Sequence, residues 1–465
     1  MKRVEVARHR VASTTRTSVG TAAVTTSSHF EPNRARYGSK DLEGALGFCI
    51  AISCLGAVLT CVKVPAPQRG SSPVRAQSVK LQTAVIPEIS GADYKGSPPT
   101  KVPGSPNSLE HFRTALSKLA GKKLDEPLRV MWLGDSHTAG IFWPSSVEST
   151  LLNSVASGGP GYLPLGLNYG RYHGARISSD ESFNIAPHPP ARRSPEDDGV
   201  FGLGGTRVTP RDRQLGLTIK LDPALAIGHV KCQLLYRYQR SNDRLAVVIN
   251  GRNVEAPSEA AITLPQGMRL QTFKMDAQAT LEIRTLAGNP ELFGLVVENE
   301  SPGLVIDVLG INGARFATPL AWDEGSWKSL VKWRHPTLVV IAYGTNEVFD
   351  LVAPKRYRSD IQRLMDRIRS AISDFDCVIA GPTDVGKGGQ IAEDRALAID
   401  QVENEAAEQL GCTYFSSYRA MGGAQGFDEW LHRTPALALP DRIHLTAAGY
   451  RKLGQLMGNV IVGSQ

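Results

Sequence analysis

Five short apolar runs constrain the fold of this 465-residue chain more than any other feature of its sequence. Nearly continuous apolar runs of this length are typical of strands that are buried on both faces of a parallel sheet. Helical patterns lie between the later runs, one of them with Ile361, Leu364 and Ile368 on a single face. The alternation predicts an α/β domain with a doubly wound, parallel five-stranded sheet. The runs are "RVMWLG" (129–134), "LVIDVLG" (304–310), "LVVIAYG" (338–344), "CVIAGP" (377–382) and "CTYFSS" (412–417).

Residues 167–300 interrupt this alternation. Short segments with alternating apolar and polar residues follow one another there, and Asn250-Gly251 is a strong signal for a hairpin turn. The pattern predicts an all-β, sandwich-like module inserted into the α/β domain. The insertion divides that domain into a first part, 107–166, and a second part, 301–465.

The N-terminal region predicts a membrane anchor. Residues 44–62 carry no charge, and about 20 residues of helix cross the apolar core of a bilayer. Basic residues dominate the preceding tail, 1–43, so the tail is expected in the cytoplasm and the rest of the chain outside it. A cleaved signal peptide is the alternative, although the leader is long for one and lacks a clear cleavage site. The Pro- and Ser-rich stretch 63–106 predicts a solvated linker.

Charge and cysteine content restrict the possible functions. The formal net charge is +7, but much of the excess lies in the N-terminal tail, which gives little support to nucleic-acid binding. The six cysteines show neither a disulfide framework nor the CxxC spacing of a metal site. Cys377 and Cys412 each begin an apolar run, and we expect them to be buried, reduced thiols.

The first apolar run leads directly into "GDSHTAG", which places Ser136 at a turn. Serine is also a favoured helix-capping residue, so a catalytic role requires partners elsewhere in the chain. A nucleophilic serine needs a base to take its proton and a group that orients the base. Asp441 and His444, three residues apart in "DRIHLT", have the spacing to form such a pair. Helix capping by Asp441 is the alternative interpretation.

Two further turns offer donors for the oxyanion of an acyl-transfer reaction. Asn346 follows the third apolar run, at the edge where open α/β sheets bind their ligands. Gly313, in "GINGA", follows the preceding run, and its backbone N–H is a second candidate donor. Both residues also suit ordinary turns.

In chain order, these blocks resemble the SGNH or GDSL hydrolase family. "GDSH" is similar to its first block, "GINGA" to its glycine block, "YGTNE" to its asparagine block and "DRIHLT" to its Asp-x-x-His block. The resemblance implies a catalytic triad of Ser136, His444 and Asp441. It also implies an oxyanion hole formed by the backbone N–H groups of Ser136 and Gly313 and the side chain of Asn346. No metal or organic cofactor is implied.

Two departures from the simplest members, His137 in place of leucine and the β insertion, are similar to bacterial peptidoglycan O-acetylesterases, which carry a carbohydrate-binding-like β module. This resemblance implies a serine esterase that removes O-acetyl groups from an acetylated cell-envelope glycan, with peptidoglycan as the expected substrate. An acetyltransferase, a lipid or small-ester hydrolase, and a non-catalytic glycan-binding protein remain alternatives. Trp143 and Trp430 lie near catalytic blocks and are candidates for lining the substrate cleft, with core packing as the alternative.

Overall fold

The computed structural model describes most of the chain beyond residue 108. The predicted span 44–62 and linker 63–106 lie outside the described residues. No helix within the described ranges is long and apolar enough to cross a membrane. The described ranges are 109–166, 172–179, 183–185, 198–210, 216–254, 262–350, 352–386 and 390–463.

Helices and strands alternate at both ends of this region, whereas its middle consists of strands. The α-helices are α1 Glu110–Ala120, α2 Ser136–Ala139, α3 Phe142–Leu151, α4 Glu324–Arg334, α5 Pro354–Arg369, α6 Gln390–Gln409, α7 Ser417–Ala420, α8 Gly426–Leu431 and α9 Ala447–Val462. The strands are β1 Leu128–Gly134, β2 Gly161–Leu163, β3 Ala175–Ser179, β4 Phe183–Ile185, β5 Val208–Pro210, β6 Gly216–Leu221, β7 His229–Arg237, β8 Arg244–Ile249, β9 Arg252–Val254, β10 Ile262–Thr263, β11 Met268–Asp276, β12 Leu281–Ala287, β13 Glu291–Asn299, β14 Leu304–Gly310, β15 Leu338–Ala342, β16 Asp376–Ala380 and β17 Thr413–Phe415.

The five apolar runs form one parallel sheet, as predicted. Its strand order is β14-β1-β15-β16-β17, and every neighbouring pair is parallel. Gly134, at the end of β1, pairs with Gly310 of β14 and with Ala342 of β15. The carboxyl ends of these three central strands therefore meet at one edge of the sheet.

Alternate residues of each strand enter different cores. Val130 and Trp132 of β1 pack in a cluster with α1, α3 and α9, whereas Met131 and Leu133 pack in a cluster with α4, α5 and α6. Side chains of successive strand residues point to opposite faces, so a sheet with apolar residues at every position requires a cover on both sides. The helices supply that cover, and the doubly wound α/β architecture is confirmed.

Two antiparallel sheets occupy the middle of the chain. One has the order β10-β11-β7-β13-β5-β4, with β2 also paired to β13, and the other has the order β3-β6-β12-β8-β9. Their facing side chains form a third core, which includes Cys232 and Leu234 of β7 and Ile283 of β12. The first of these sheets, which contains β7 and β13, is called the junction sheet below.

The junction sheet is buried on both faces. Leu234 of β7 belongs to the core between the antiparallel sheets, whereas its neighbour Leu235 belongs to the same cluster as Met131 and Leu133 of the parallel sheet. Phe293 of β13 also lies in that second cluster. The antiparallel region therefore shares an apolar core with the α/β region.

A buried ion-pair network also joins the two regions. The Arg334 guanidinium of α4 donates to Asp307 of β14 at 2.8 Å and lies 2.9 Å from Glu298 of β13. Arg129 of β1 donates to the same Glu298 carboxylate at 2.7 Å. Burial opposes ionisation of Glu298, but the two arginines outweigh it and lower its pKa to about 2.

The expectation of two reduced thiols is wrong for Cys377 and Cys412, which form a disulfide. The two residues lie 35 positions apart in sequence, but β16 and β17 are neighbours, and their Cα atoms are 4.8 Å apart. Sequence spacing did not reveal the bond because strand adjacency creates it. Cys232 is buried and free.

Candidate active site

The nucleophile candidate Ser136 begins the short helix α2, at the carboxyl edge of β1. Asp135 precedes it as the N-cap, and its Oδ1 accepts a hydrogen bond from the backbone N–H of His137 at 2.9 Å. The capping oxygen thus comes from Asp135 and not from Ser136, so the alternative that Ser136 serves as the helix cap is wrong. The Ser136 side chain is left for another partner.

Glycines at two strand ends allow this turn to lie against the sheet. A Cβ atom on Gly134 would stand 2.0 Å from Thr138 Oγ1, and one on Gly310 would stand 2.2 Å from the backbone nitrogen of Ala139. Both distances are far below van der Waals contact. The close approach of α2 to the ends of β1 and β14 therefore depends on the absence of side chains at these two positions.

The structure brings Ser136, His444 and Asp441 together in one hydrogen-bonded chain. Ser136 Oγ lies 2.9 Å from His444 Nε2, and His444 Nδ1 lies 2.7 Å from Asp441 Oδ2. The other carboxylate oxygen, Asp441 Oδ1, accepts the backbone N–H groups of Ile443 at 3.0 Å and His444 at 2.9 Å. The Asp-x-x-His spacing therefore forms a tight turn in which one carboxylate holds both the backbone and the imidazole.

Solvent reaches this chain of groups. The His444 side chain is 34% exposed and the Asp441 side chain 46% exposed, and Ser136 is half-buried. Partial burial opposes ionisation of Asp441, but the hydrogen bonds from the backbone and imidazole of His444 and from Ile443 lower its pKa. Asp441 is thus a carboxylate at neutral pH, suited to hold a charged imidazolium.

Gly313 lies in the loop after β14 with φ +76°, a left-handed conformation that favours glycine. No atom lies within 4 Å of the position that a Cβ would take. Its carbonyl accepts a hydrogen bond from Arg315 at 2.6 Å, which ties down the loop. Within the described ranges, the backbone N–H groups of Gly313 and Ser136 have no hydrogen-bond acceptor, so both are available to a ligand.

Asn346 follows β15 at the same edge of the sheet, but its side-chain amide is occupied. Asn346 Nδ2 donates to the carbonyl of Ala314 at 3.0 Å and to Asp135 Oδ2 at 3.3 Å. An amide group has two N–H donors, so both are used in this state. The longer bond, to Asp135, is the weaker one by geometry.

The GDSL-like lipase/acylhydrolase family matches residues 277–452, which contain the glycine, asparagine and Asp-x-x-His blocks. The matched segment is therefore similar to this family, and it lies entirely in the second half of the chain. The protein is a carboxylic ester hydrolase, and the resemblance of its sequence motifs to the SGNH or GDSL hydrolases is confirmed. No curated protein sequence gives a significant match.

Solved structures are similar to the hydrolase to different extents. A peptidoglycan O-acetylesterase matches with a TM-score of 0.64 at 21% identity, over 76% of this chain and 97% of the other. A lipase/acylhydrolase from Enterococcus faecalis matches with a TM-score of 0.29 at 21% identity, over 35% and 77% of the two chains. An acetyl-xylooligosaccharide esterase from Geobacillus Stearmophilus gives 0.28 at 19% identity, over 35% and 74%.

Two buried acids lie next to the edge of the parallel sheet that carries Ser136, Gly313 and Asn346, called the candidate catalytic edge below. Burial, with the nearby Glu347 carboxyl adding to it, raises the pKa of Asp135 to about 8. Burial also raises the pKa of Glu347 to about 7. Glu347 accepts backbone N–H groups of Phe316 at 2.9 Å and Gly344 at 3.1 Å, which joins the loops that follow β14 and β15. These acids hold the loops that carry the candidate oxyanion donors.

Sequence motifs gave no role to Asp135, Glu347 or Tyr450. Asp135 and Glu347 were visible inside "GDSH" and "YGTNE", where an acid beside a candidate catalytic residue was the available signal. Tyr450 lies on α9, and its hydroxyl is 2.9 Å from His137 Nδ1. Nothing in the sequence links these two residues, because the contact depends on where α9 packs.

The expectation that Trp143 and Trp430 line the substrate cleft is wrong. Trp143, on α3, is 3% exposed, and Trp430, on α8, is 2% exposed. Both lie in the apolar cluster that α1, α3 and α9 form with one face of the parallel sheet. The Trp143 ring packs edge-on against Trp132 of β1, with ring centroids 5.6 Å apart. Aromatic burial in the core therefore explains both residues. Within the described ranges, no group of three or more His, Cys, Asp or Glu side chains is arranged to hold a metal.

Proposed function

We propose that the hydrolase is a serine esterase that removes O-acetyl groups from a cell-envelope polysaccharide, with peptidoglycan as its substrate. The observation that carries the proposal is the chain of hydrogen bonds from Ser136 Oγ through His444 to Asp441, at 2.9 Å and 2.7 Å. This arrangement has the parts that serine acyl transfer requires, namely a nucleophile, a base and an orienting carboxylate.

The reaction follows from these contacts. His444 Nε2 takes the Ser136 proton as Oγ attacks the acetyl carbonyl, and Asp441 stabilises the resulting imidazolium. The tetrahedral intermediate collapses, the C–O bond to the sugar breaks, and the imidazolium gives its proton to the leaving sugar oxygen. Water then attacks the acetyl-enzyme and loses a proton to His444. The bond between the acetyl carbon and Ser136 Oγ breaks, His444 returns the proton to Oγ, and acetic acid leaves and ionises to acetate.

The backbone N–H groups of Ser136 and Gly313 are the proposed donors to the negative oxygen of the intermediate. Asn346 is the third, and we propose that it gives up its longer bond, to Asp135, when the carbonyl oxygen arrives. In comparable sites, removal of one such donor costs about 10²–10³ in kcat.

The substrate class rests on two lines of support. The similarity to a peptidoglycan O-acetylesterase covers 76% of this chain, more than the α/β region alone, so it extends into the antiparallel sheets. The triad candidates are also solvent-accessible rather than enclosed, which suits an acetyl group carried on a polymer too large to enter a closed pocket.

We also propose that the hydrolase acts outside the cytoplasm, anchored by residues 44–62, with its antiparallel region binding glycan. The disulfide between Cys377 and Cys412 supports this location, because structural disulfides form and persist in oxidising compartments. The test is added protease on intact cells, which should release the catalytic region. A chain that is fully protected from the protease would contradict the proposed topology.

Ser136→Ala tests the chemistry. We expect the variant to lose about 10⁶-fold in kcat on a chromogenic acetyl ester, with an unchanged melting temperature. Ser145→Ala is the matched control, because Ser145 Oγ also lies near a histidine, 3.3 Å from His173 Nδ1, but outside the triad. Full activity in the Ser136 variant, or an equal loss in the Ser145 variant, would contradict the assignment.

A substrate panel tests the specificity. Acetate release is measured from O-acetylated peptidoglycan, acetylated xylan and a lipid ester, with Ser136→Ala as the blank. We expect peptidoglycan to give the highest kcat/KM. A preference for xylan or lipid would retain the esterase but reject its proposed substrate, and acetyl transfer to a glycan without acetate release would indicate a transferase.

A further inference from the structure

His137 contacts the catalytic histidine from a fully buried position. It follows Ser136 directly, its side chain is 2% exposed, and its ring centroid lies 5.3 Å from that of His444. Tyr450 fixes the other side of the ring, with its hydroxyl 2.9 Å from His137 Nδ1 and its ring edge-on at 5.8 Å. His137 is thus held between Tyr450 and the imidazole that takes the serine proton.

This contact joins the two segments that carry the triad. His137 lies on α2 with the nucleophile, whereas Tyr450 lies on α9, which begins at Ala447, three residues after His444. One hydrogen bond between side chains therefore ties the nucleophile turn to the helix that follows the base. A shift of either segment would move the His137 ring against His444.

His137 also keeps an unpartnered polar atom. Within the described ranges its Nε2 atom is buried and has no hydrogen-bond partner. A buried polar atom without a partner destabilises the folded state, and an apolar residue at this position would avoid that cost. Such costs are typical of functional positions, where a side chain serves a purpose other than stability.

The ring carries no charge at working pH. Burial lowers the pKa of His137 to about 3, and the neighbouring His444 contributes in the same direction. A second positive charge beside His444 would oppose its protonation by Ser136. A neutral ring supports the imidazole sterically without that penalty.

We propose that His137, fixed by Tyr450, is a positioning residue that holds the His444 imidazole in line with Ser136 Oγ. The inference rests on the proposed function, because it assigns His137 a role within that triad. Small errors in the placement of reacting groups have large effects on rate, about 10²-fold for a displacement of 1 Å. Loss of the His137 ring should therefore affect the chemical step rather than substrate binding.

The test compares His137→Leu, Tyr450→Phe and the double variant in the full chain. We expect His137→Leu to lower kcat on a chromogenic acetyl ester by about 10–100-fold with unchanged KM, and Tyr450→Phe by about 3–10-fold. The double variant should be no slower than His137→Leu, because the hydrogen bond is already absent there. The rate of Ser136 labelling by an alkyl fluorophosphonate should fall by the same factors, and this readout does not depend on the acetylated substrate.

Tyr162→Phe is the matched control. The Tyr162 hydroxyl is also buried and donates to the Phe293 carbonyl at 2.9 Å, away from the triad. We expect this variant to melt at a lower temperature with unchanged kcat and labelling. Equal losses in Tyr162→Phe and Tyr450→Phe would overturn the positioning role, as would normal kcat and labelling in a folded His137→Leu protein.

Two further outcomes separate the proposals. If His137→Leu does not fold, normal kcat and labelling in Tyr450→Phe would overturn the positioning role by themselves. A wild-type chain that reacts with the fluorophosphonate but does not hydrolyse acetyl esters would reject the proposed substrate, and the labelling rates of the variants would still decide the role of His137.

Discussion

The parallel sheet and the junction sheet are both buried on two faces, but their strand ends are arranged differently. In the parallel sheet, β1, β14 and β15 end at one edge, and the residues that follow them, Ser136, Gly313 and Asn346, meet there. In the junction sheet, neighbouring long strands run in opposite directions, so successive loops leave from opposite edges. Parallel topology thus gathers polar groups from distant parts of the sequence, and antiparallel topology does not.

The buried acids show the same contrast. At the candidate catalytic edge, Asp135 and Glu347 have raised pKa values of about 8 and about 7. At the boundary between the two regions, Glu298 lies between Arg334 and Arg129, and its pKa is lowered to about 2. Arginine pairing therefore favours the ionised form of the acid at the junction, whereas burial favours the protonated form of the acids at the site.

The largest effect expected from a single change at the edge of the parallel sheet, apart from loss of the nucleophile, is that of Asn346→Ala. Loss of an oxyanion donor should lower kcat by about 10²–10³, with little change in KM. Asn299→Ala is the matched control from the junction sheet, because Asn299 Nδ2 also donates to two oxygen atoms, here the carbonyl oxygens of Ser157 at 3.0 Å and Leu225 at 2.9 Å. Steady-state kinetics and thermal melts are measured for both.

We expect the Asn299 variant to lose stability and to keep its kcat per folded molecule. Equal kinetic losses in the two variants would mean that Asn346 acts only as a structural asparagine. Such a result would also mean that the carboxyl edge of the parallel sheet is no more important for kcat than the junction sheet is.

Two adjacent leucines of β7 test whether the regions unfold together. Leu235→Ala should destabilise the core shared with the parallel sheet, and Leu234→Ala the core between the antiparallel sheets. Each should cost about 2–5 kcal/mol, because both side chains are fully buried. Calorimetry should show one transition that moves to lower temperature in both variants. A separate early transition in Leu234→Ala would indicate that the antiparallel region unfolds independently.

Local sequence signals predicted much of this molecule. The strands of the parallel sheet were visible as apolar runs, because a strand covered on both faces has few polar positions. Ser136, His444 and Asp441 were recognisable because each lies in a short motif whose spacing has a chemical reason. The structure brings them into hydrogen-bonding distance.

What the sequence did not reveal depends on packing between distant segments. The disulfide needs β16 beside β17, and the contact between His137 and Tyr450 needs α9 beside α2. The alternating segments of 167–300 predicted strands, but they did not reveal that Leu235 of β7 lies in a core shared with the parallel sheet. The position of Trp143 near the Ser136 block left both cleft and core open, and only the packing of α3 decided between them.

Replacement of both Cys377 and Cys412 by alanine should lower the free energy of unfolding by about 2–4 kcal/mol. Cys377 lies near the amino end of β16, and the candidate catalytic residues Ser136 and Asn346 follow the carboxyl ends of other strands in the same sheet. We therefore expect kcat to be unchanged, with stability measured by urea unfolding. A large loss of kcat in folded protein would contradict this expectation. It would show that a change at the amino edge of the parallel sheet reaches the groups at its carboxyl edge.

The smallest expected effect, taken per pH unit, concerns the pH dependence of stability at the candidate catalytic edge. The pKa of Asp135 is raised from an unfolded value near 3.8 to about 8, so the native state binds this proton more tightly than the unfolded chain. Its contribution to stability is fully present below about pH 4 and is lost as pH rises through 8. Glu298 behaves in the opposite way, since its lowered pKa gives stability that is lost as pH falls toward 2.

Asp135→Asn removes the titration while keeping an oxygen that can accept the His137 N–H. The amide changes absolute stability as well, because it alters the contact with Asn346, so only the slope against pH is diagnostic. Between pH 5 and 8, the free energy of unfolding of the variant should rise relative to that of the wild type by on the order of 1 kcal/mol for each pH unit. Urea unfolding at intervals across this range measures the difference. Parallel curves of stability against pH for the two proteins would mean that Asp135 is ionised in the native state. The raised pKa of Asp135 would then no longer distinguish the candidate catalytic edge from the junction, where arginines pair with Glu298.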